Sequence, residues 1–98
     1  MAEVRWTPQA ADDLESITEF IAKDSPQYAQ LFAIDALEIA DRLSGFPLMG
    51  RIVPEVNDSA LREILFGNYR IVYRTKPDRV EILTVYHGAR LLDPSRIG

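Results

Sequence analysis

The chain has 98 residues, of which 47% are hydrophobic and 27% charged, and its formal net charge is −4. This length predicts a single domain over residues 1–98, because a second core needs a longer chain. The sequence contains no cysteine and one histidine, and we expect no metal and no cofactor. Apolar runs fall short of the roughly 20 residues of a membrane span, and the N-terminus lacks a signal-peptide pattern. We therefore expect a cytoplasmic protein with no membrane association.

The first half of the chain predicts one strand and two helices. Glu3–Trp6 alternates polar and apolar residues, as a strand does. A helix is expected to begin at Pro8 with Thr7 as its N-cap. A second helix, from Pro26 to about Leu43, begins in the same way after a serine. The connection is so short that the two helices are predicted to form an antiparallel hairpin.

The second half predicts a loop and three strands. Residues 48–59 show no regular pattern and are expected to be irregular. Leu61–Phe66, Tyr69–Arg74 and Arg79–His87 are rich in β-branched and aromatic residues and are separated by short turns. The predicted fold is α+β, with an N-terminal strand, an antiparallel helix hairpin and a three-stranded antiparallel meander, the hairpin lying on one face of the sheet.

The net charge hides an uneven distribution along the chain. Residues 1–50 contain 3 basic and 9 acidic side chains, whereas residues 51–98 contain 8 basic and 6 acidic ones. Proteins that bind nucleic acids through their whole surface are usually basic. A nucleic-acid role would therefore have to depend on a local cluster of arginines.

Alternation along the strand 69–74 separates aromatic from basic side chains. Tyr69 and Tyr73 are predicted on one side, and Arg70 and Arg74 on the other. We interpret the tyrosine side as packing on the helices and the arginine side as open. The strand 79–87 is apolar on both sides, with Leu83, Val85 and His87 sharing one of them, which is typical of a central strand.

Basic side chains from separate strands are expected to meet on the open side. Converging arginines suit a phosphate, a carboxylate patch on a partner, or the developing charge of phosphoryl transfer. The alternative is that the arginines pair with Glu63 or Glu81 on a solvated face and that the histidine is structural. On physical grounds alone the alternative is favoured. The candidate site residues are Arg62, Arg70, His87 and Arg90.

Several short motifs occur in an order and spacing more specific than any one of them. They are Ala11-Asp12-Asp13-Leu14, Pro47-Leu48-Met49-Gly50-Arg51, Val53-Pro54-Glu55, Leu61-Arg62-Glu63, Tyr69-Arg70-Ile71-Val72-Tyr73 and Val85-Tyr86-His87-Gly88-Ala89-Arg90. With them the chain resembles the RelE/ParE superfamily of bacterial type II toxins, and its hairpin is closer to the ParE branch. The resemblance implies a toxin bound by a cognate antitoxin, with operator DNA contacted only through that antitoxin.

Two activities occur in that superfamily. RelE-like members are metal-independent enzymes that cleave mRNA in the ribosomal A site, whereas ParE-like members poison DNA gyrase. Arg70 and Arg90 match the RelE-like arginines, and Arg62 stands where a lysine is common. Ile64 occupies the second lysine position, and Arg96 falls near the place of the C-terminal tyrosine.

These departures weaken the RelE-like interpretation. Neither an isoleucine nor an arginine replaces an ionisable acid or base, although His87 remains available as a base. A pI near 4.9 also disfavours docking into an RNA-lined site. We therefore expect gyrase inhibition, with ribosome-dependent mRNA cleavage as the alternative and a non-toxic, antitoxin-binding protein as a third possibility.

The predicted contacts follow from the same resemblance. Arg70, His87 and Arg90 are expected to contact the target. An antitoxin segment is expected either to lie over apolar side chains of the second helix or to add to an edge of the sheet. The helix side chains are Leu31, Ile34 and Leu37.

Overall fold

The computed structural model describes residues 2–88, in which two helices lie on one face of a five-stranded sheet. The elements are β1 (Glu3–Trp6), α1 (Pro8–Ala22), α2 (Pro26–Arg42), β2 (Arg51–Ile52), β3 (Leu61–Phe66), β4 (Tyr69–Thr75) and β5 (Arg79–His87). The strand order is β1-β5-β4-β3-β2; β1 is parallel to β5, and the other neighbours are antiparallel. The predicted α+β fold and the central position of β5 are confirmed.

Both helices begin as predicted. The Thr7 side chain accepts a hydrogen bond from the backbone N–H of Ala10 at 3.2 Å, and Ser25 accepts one from Tyr28 at 3.1 Å. A proline follows each cap, where its missing N–H costs no helical hydrogen bond. Neither α1 nor α2 has the length and apolar composition that a membrane-spanning helix requires.

The main core lies between the helices and the sheet. Alanines at three helical positions allow the helices to approach the strands closely, and Tyr73 is fully buried beneath them. The prediction that the tyrosine side of β4 packs on the helices is therefore confirmed. The buried members of this core are Ala10, Ala36, Ala40, Leu43, Ile71, Tyr73, Val80, Ile82 and Val85.

A second, smaller core covers the opposite face of the sheet. Val53, Leu61, Val72, Leu83 and Tyr86 are buried there. The prediction that this face is open is wrong, because Val53 packs into this core and Glu55 contacts Arg70 of β4. Residues 48–59 also contain β2, which pairs with β3 although it is only two residues long.

A β-bulge interrupts the alternation of β5. Val72 pairs with Thr84 but Tyr73 pairs with Ile82, so that Leu83 is the extra residue. Ile82 therefore points into the main core and Leu83 into the second core, and beyond the bulge Val85 belongs to the main core. The prediction that Leu83 and Val85 share one side is wrong for this reason.

Candidate functional site

An ion-pair network around Arg70 lies on the sheet face that carries the second core, called the second face below. Its Nη1 atom lies 3.1 Å from Glu55 Oε2 and 3.2 Å from Glu63 Oε1. The same atom lies 3.2 Å from the Tyr86 hydroxyl oxygen. The Arg70 side chain is only 15% exposed. Burial disfavours its charged form, but the carboxylates of Glu63 and Glu55 outweigh that cost and raise the pKa of Arg70.

Glu63 is the buried member of this network. Its side chain is fully buried, and its Oε2 atom lies 2.7 Å from Arg51 Nε and 2.6 Å from Arg51 Nη2. Two guanidinium groups therefore hold one carboxylate, and Glu55 supplies the second negative charge. The network is close to electrically neutral, as buried charges require. Burial also raises the pKa of the Tyr86 hydroxyl, an effect that Arg70 opposes.

Arg62 lies on the other face of the sheet. In the register of β3 and β4, Arg62 pairs with Tyr73 whereas Glu63 pairs with Val72, so that Arg62 and Glu63 point in opposite directions. The Arg62 side chain donates to the backbone carbonyl oxygens of Ser59 at 3.0 Å and Gly50 at 2.9 Å. It supports the segment between α2 and β3.

His87 is also separated from Arg70. It pairs with Tyr69 on the helix side of the sheet, and the two rings meet edge-to-face with centroids 5.5 Å apart. The prediction that Arg62 lies near Arg70 on the open face is therefore wrong, and so is the predicted clustering of His87 with Arg70. Arg90 lies outside the described residues. The role of these side chains in target contact stays a prediction.

The favoured alternative is right that Arg70 pairs with Glu63, but the pair lies in a buried network and not on a solvated face. Arg70 on β4 forms an ion pair with Glu63 on the neighbouring strand β3. Glu81 forms ion pairs with Arg79 at 3.2 Å and with Lys76 at 3.4 Å. Within residues 2–88 there is no cluster of three or more histidine, aspartate or glutamate side chains suited to a metal ion.

A buried hydroxyl fixes the start of β2. Tyr73 donates to the Pro47 carbonyl oxygen at 2.8 Å and accepts from the Gly50 N–H at 2.9 Å. A Cβ atom at Gly50 would lie 2.7 Å from both the Glu63 carbonyl oxygen and the Tyr73 hydroxyl oxygen. Burial raises the pKa of Tyr73. This contact positions Arg51 against Glu63.

Sequence reasoning missed most of this network. Tyr73 was expected only as a packing residue, and neither Glu55 nor Tyr86 was assigned a partner. One signal was available: Glu63 shares its side of β3 with Leu61, so if that side is buried the carboxylate needs a cation.

The predicted antitoxin contacts lie on the outer side of α2. Leu31 is 54% exposed, Ile34 43% and Leu37 52%. Beside Leu37, a groove of about 420 Å³ separates α2 from β1. The structure thus presents an apolar surface here.

The sequence matches a family of known proteins over most of its length. The family model described as "ParE toxin of type II toxin-antitoxin system, parDE" matches residues 4–92. The chain therefore belongs to the ParE toxin family. It is 36% identical over 92 residues to Toxin RelE2 of Caulobacter vibrioides, a match that covers 93% of this chain and 100% of that relative.

Two solved structures have the same fold. A chain of the chromosomal ParDE system of P. aeruginosa superposes with a TM-score of 0.73 at 22% identity, covering 89% of this chain and 96% of that one. A chain of the toxin–antitoxin complex RelBE2 of Mycobacterium tuberculosis gives 0.63 at 26% identity, covering 88% and 96%. Both of those chains come from toxin–antitoxin systems.

Proposed function

We propose that this toxin inhibits DNA gyrase and is neutralised by its cognate antitoxin. One observation supports gyrase inhibition over RNA cleavage: the guanidinium group of Arg70 is already paired within the chain. It contacts Glu55, Glu63 and Tyr86. A gyrase-directed toxin contacts a protein surface and does not require an unpaired cation at this position.

RNA cleavage would require additional chemical groups on the face of the sheet that carries Arg70. Phosphoryl transfer needs groups that move protons and cations that stabilise charge on the phosphate. An RNA phosphate approaching Arg70 would also meet two carboxylates, and Arg62 points to the opposite face. Ile64 offers no ionisable group. The geometry in residues 2–88 therefore supports RNA chemistry poorly.

Ribosome-dependent mRNA cleavage is the second candidate. The 36% identity to Toxin RelE2 favours it, and His87 and Arg90 are its remaining candidate groups. In this alternative His87 would act as the base.

Expression of the toxin alone distinguishes the two activities. We expect a DNA-damage-response reporter to rise before incorporation of labelled methionine falls. Early translation arrest with mRNA cut at A-site codons would support the alternative. Normal growth with soluble, folded protein would contradict both and indicate a non-toxic member. The same strain carrying the empty vector is the control.

We also propose that the antitoxin covers the exposed apolar residues of α2. Exposed Leu31, Ile34 and Leu37 would be buried by a partner segment, since large apolar patches on small proteins usually mark interaction sites.

A further inference from the structure

The helix α2 contains three acidic side chains, Asp35, Glu38 and Asp41, and one basic one, Arg42. Asp35, Glu38 and Asp41 are all exposed. The ion pairs found within residues 2–88 lie in the sheet and its loops, and none of them involves a side chain of α2. Charged side chains of the sheet and its loops are thus largely paired with one another. The outer side of α2, in contrast, has exposed carboxylates that a partner could bind.

Two of these carboxylates border the groove between β1 and α2. Apolar side chains form most of the lining, and Glu38 and Asp41 supply its negative charge. The lining residues are Val4, Trp6, Leu37, Glu38, Ala40 and Asp41. Leu37 connects the groove to the exposed apolar residues Leu31 and Ile34.

This combination fits a long cationic side chain. The methylene groups of a lysine or arginine can lie on Trp6 and Leu37 while the charged end reaches Glu38 or Asp41. An uncharged or acidic partner would remove water from both carboxylates without replacing their interactions, which is unfavourable. A second copy that docked symmetrically through the same face would bring its own acidic α2 to this place.

We propose that this groove binds a cationic amphipathic segment of the cognate antitoxin, in which lysine or arginine residues are interspersed with apolar ones. The inference rests on the proposed neutralisation by an antitoxin and adds the charge of its contacting segment. Apolar residues of that segment would cover Leu31 and Ile34, and a basic residue would enter beside Trp6.

Trp6 allows a direct binding test, because it is the only tryptophan of the chain. The probes are two synthetic peptides with the same apolar residues and no tryptophan, one with lysine and one with glutamate at every polar position. We expect the lysine peptide to change Trp6 emission saturably and the glutamate peptide to have no effect. Binding should weaken at least about tenfold between about 0.05 M and 0.5 M salt. Equal responses, or none to the lysine peptide, would overturn the proposal.

Charge-reversal variants locate the site. Glu38→Lys/Asp41→Lys should weaken lysine-peptide binding by about tenfold or more. Glu15→Lys/Glu19→Lys makes the same change of charge on α1 and should bind as the unmodified toxin does. Circular dichroism checks folding, and Glu38→Gln/Asp41→Asn, which keeps side-chain shape, replaces the first variant if it unfolds. Equal weakening by the α1 variant would reduce the effect to overall charge and overturn the proposal.

A cellular test separates this proposal from the proposed function. With the toxin's native antitoxin gene present, Glu38→Lys/Asp41→Lys should remain toxic and escape neutralisation. Loss of toxicity in the folded variant would assign the groove to the target, and a dimer of the toxin that this variant dissociates would assign it to a second copy. Either result overturns the proposal. The peptide titration stays interpretable if gyrase is not the target.

Discussion

Glu63 on β3 and Arg70 on β4 form an ion pair in which the carboxylate is completely buried. Arg70 Nη1 lies 3.2 Å from Glu63 Oε1, and the Glu63 side chain has 0% exposure. The two residues are diagonal neighbours, because Arg70 pairs directly with Leu65. A buried carboxylate is stable only when cations and hydrogen bonds replace its water. Arg70 is therefore needed for the fold, whatever it contributes to target contact.

Removal of Arg70 should destabilise the protein strongly. Arg70→Ala leaves the buried Glu63 with one of its two guanidinium partners, and we expect a loss of about 3 kcal/mol in the free energy of unfolding. Arg74→Ala is the matched control, since its 3.5 Å contact with Asp58 is partly exposed and should contribute less than about 1 kcal/mol. Urea denaturation measures both. Similar unfolding midpoints for the two variants would contradict the structural role of Arg70.

The close contacts of Gly50 predict a large effect of a single methyl group. In Gly50→Ala the new Cβ atom would lie 2.7 Å from the backbone of Glu63 and from the Tyr73 hydroxyl, so that β2 must move; we expect destabilisation of about 2–4 kcal/mol. Gly45→Ala is the control, since its nearest neighbour, the Arg42 carbonyl oxygen, is 3.9 Å away. Thermal unfolding should separate the variants, and equal melting temperatures would show that the approach of β2 is looser than described.

The raised pKa of Tyr73 predicts a loss of stability in alkali. Burial is the main cause of the shift from the ordinary value of 10.0. The neutral phenol is the form that the folded state favours, so its contribution is complete below the unfolded pKa and is lost as the pH rises through the folded pKa. Unfolding free energies measured between about pH 8 and pH 11 should fall at the alkaline end.

Tyr73→Phe tests the origin of that loss. It removes the hydrogen bonds to Pro47 and Gly50 and should cost about 1–2 kcal/mol at neutral pH. Its alkaline decline should be shallower than that of the unmodified protein, although Tyr86, whose pKa is also raised by burial, will still contribute. An unchanged alkaline slope would exclude Tyr73 as the titrating group.

Asp13 should contribute more to the stability of the fold than its neighbour Asp12. The Asp13 carboxylate accepts hydrogen bonds from the Thr84 hydroxyl and from the Val85 N–H at the bulge. Asp13→Ala should cost about 2 kcal/mol, whereas Asp12→Ala, at an exposed position, should stay within about 0.5 kcal/mol. Chemical denaturation of both variants is the measurement. Equal stabilities would show that the bulge does not depend on this carboxylate.

The local parts of the fold were predictable from local patterns. Thr7-Pro8 and Ser25-Pro26 marked both helix starts, and the bounds of β1, β3 and β5 were predicted as observed. These features depend on capping and on alternation over a few residues. Their physical causes are therefore contained in the segments themselves.

The features of the fold that the sequence did not predict depend on contacts between residues distant in sequence. β5 is apolar on both sides, so no pattern marked Leu83 as the bulged residue. The two residues of β2 are too few for a periodicity, and their position depends on Tyr73, which is distant in sequence. Val53 and Glu55 lie on the same face as Glu63, which is buried there with Arg70 as its partner. Alternation placed Arg70 on the correct face but could not predict these contacts.

The most direct test of the proposed function is a supercoiling assay with purified toxin and DNA gyrase. We predict that the toxin inhibits supercoiling and increases the yield of cleaved, gyrase-linked DNA. Heat-denatured toxin serves as the inactive control. Translating ribosomes treated with the same toxin should keep their mRNA intact. Unimpaired supercoiling together with cleavage of ribosome-bound mRNA would contradict gyrase as the target.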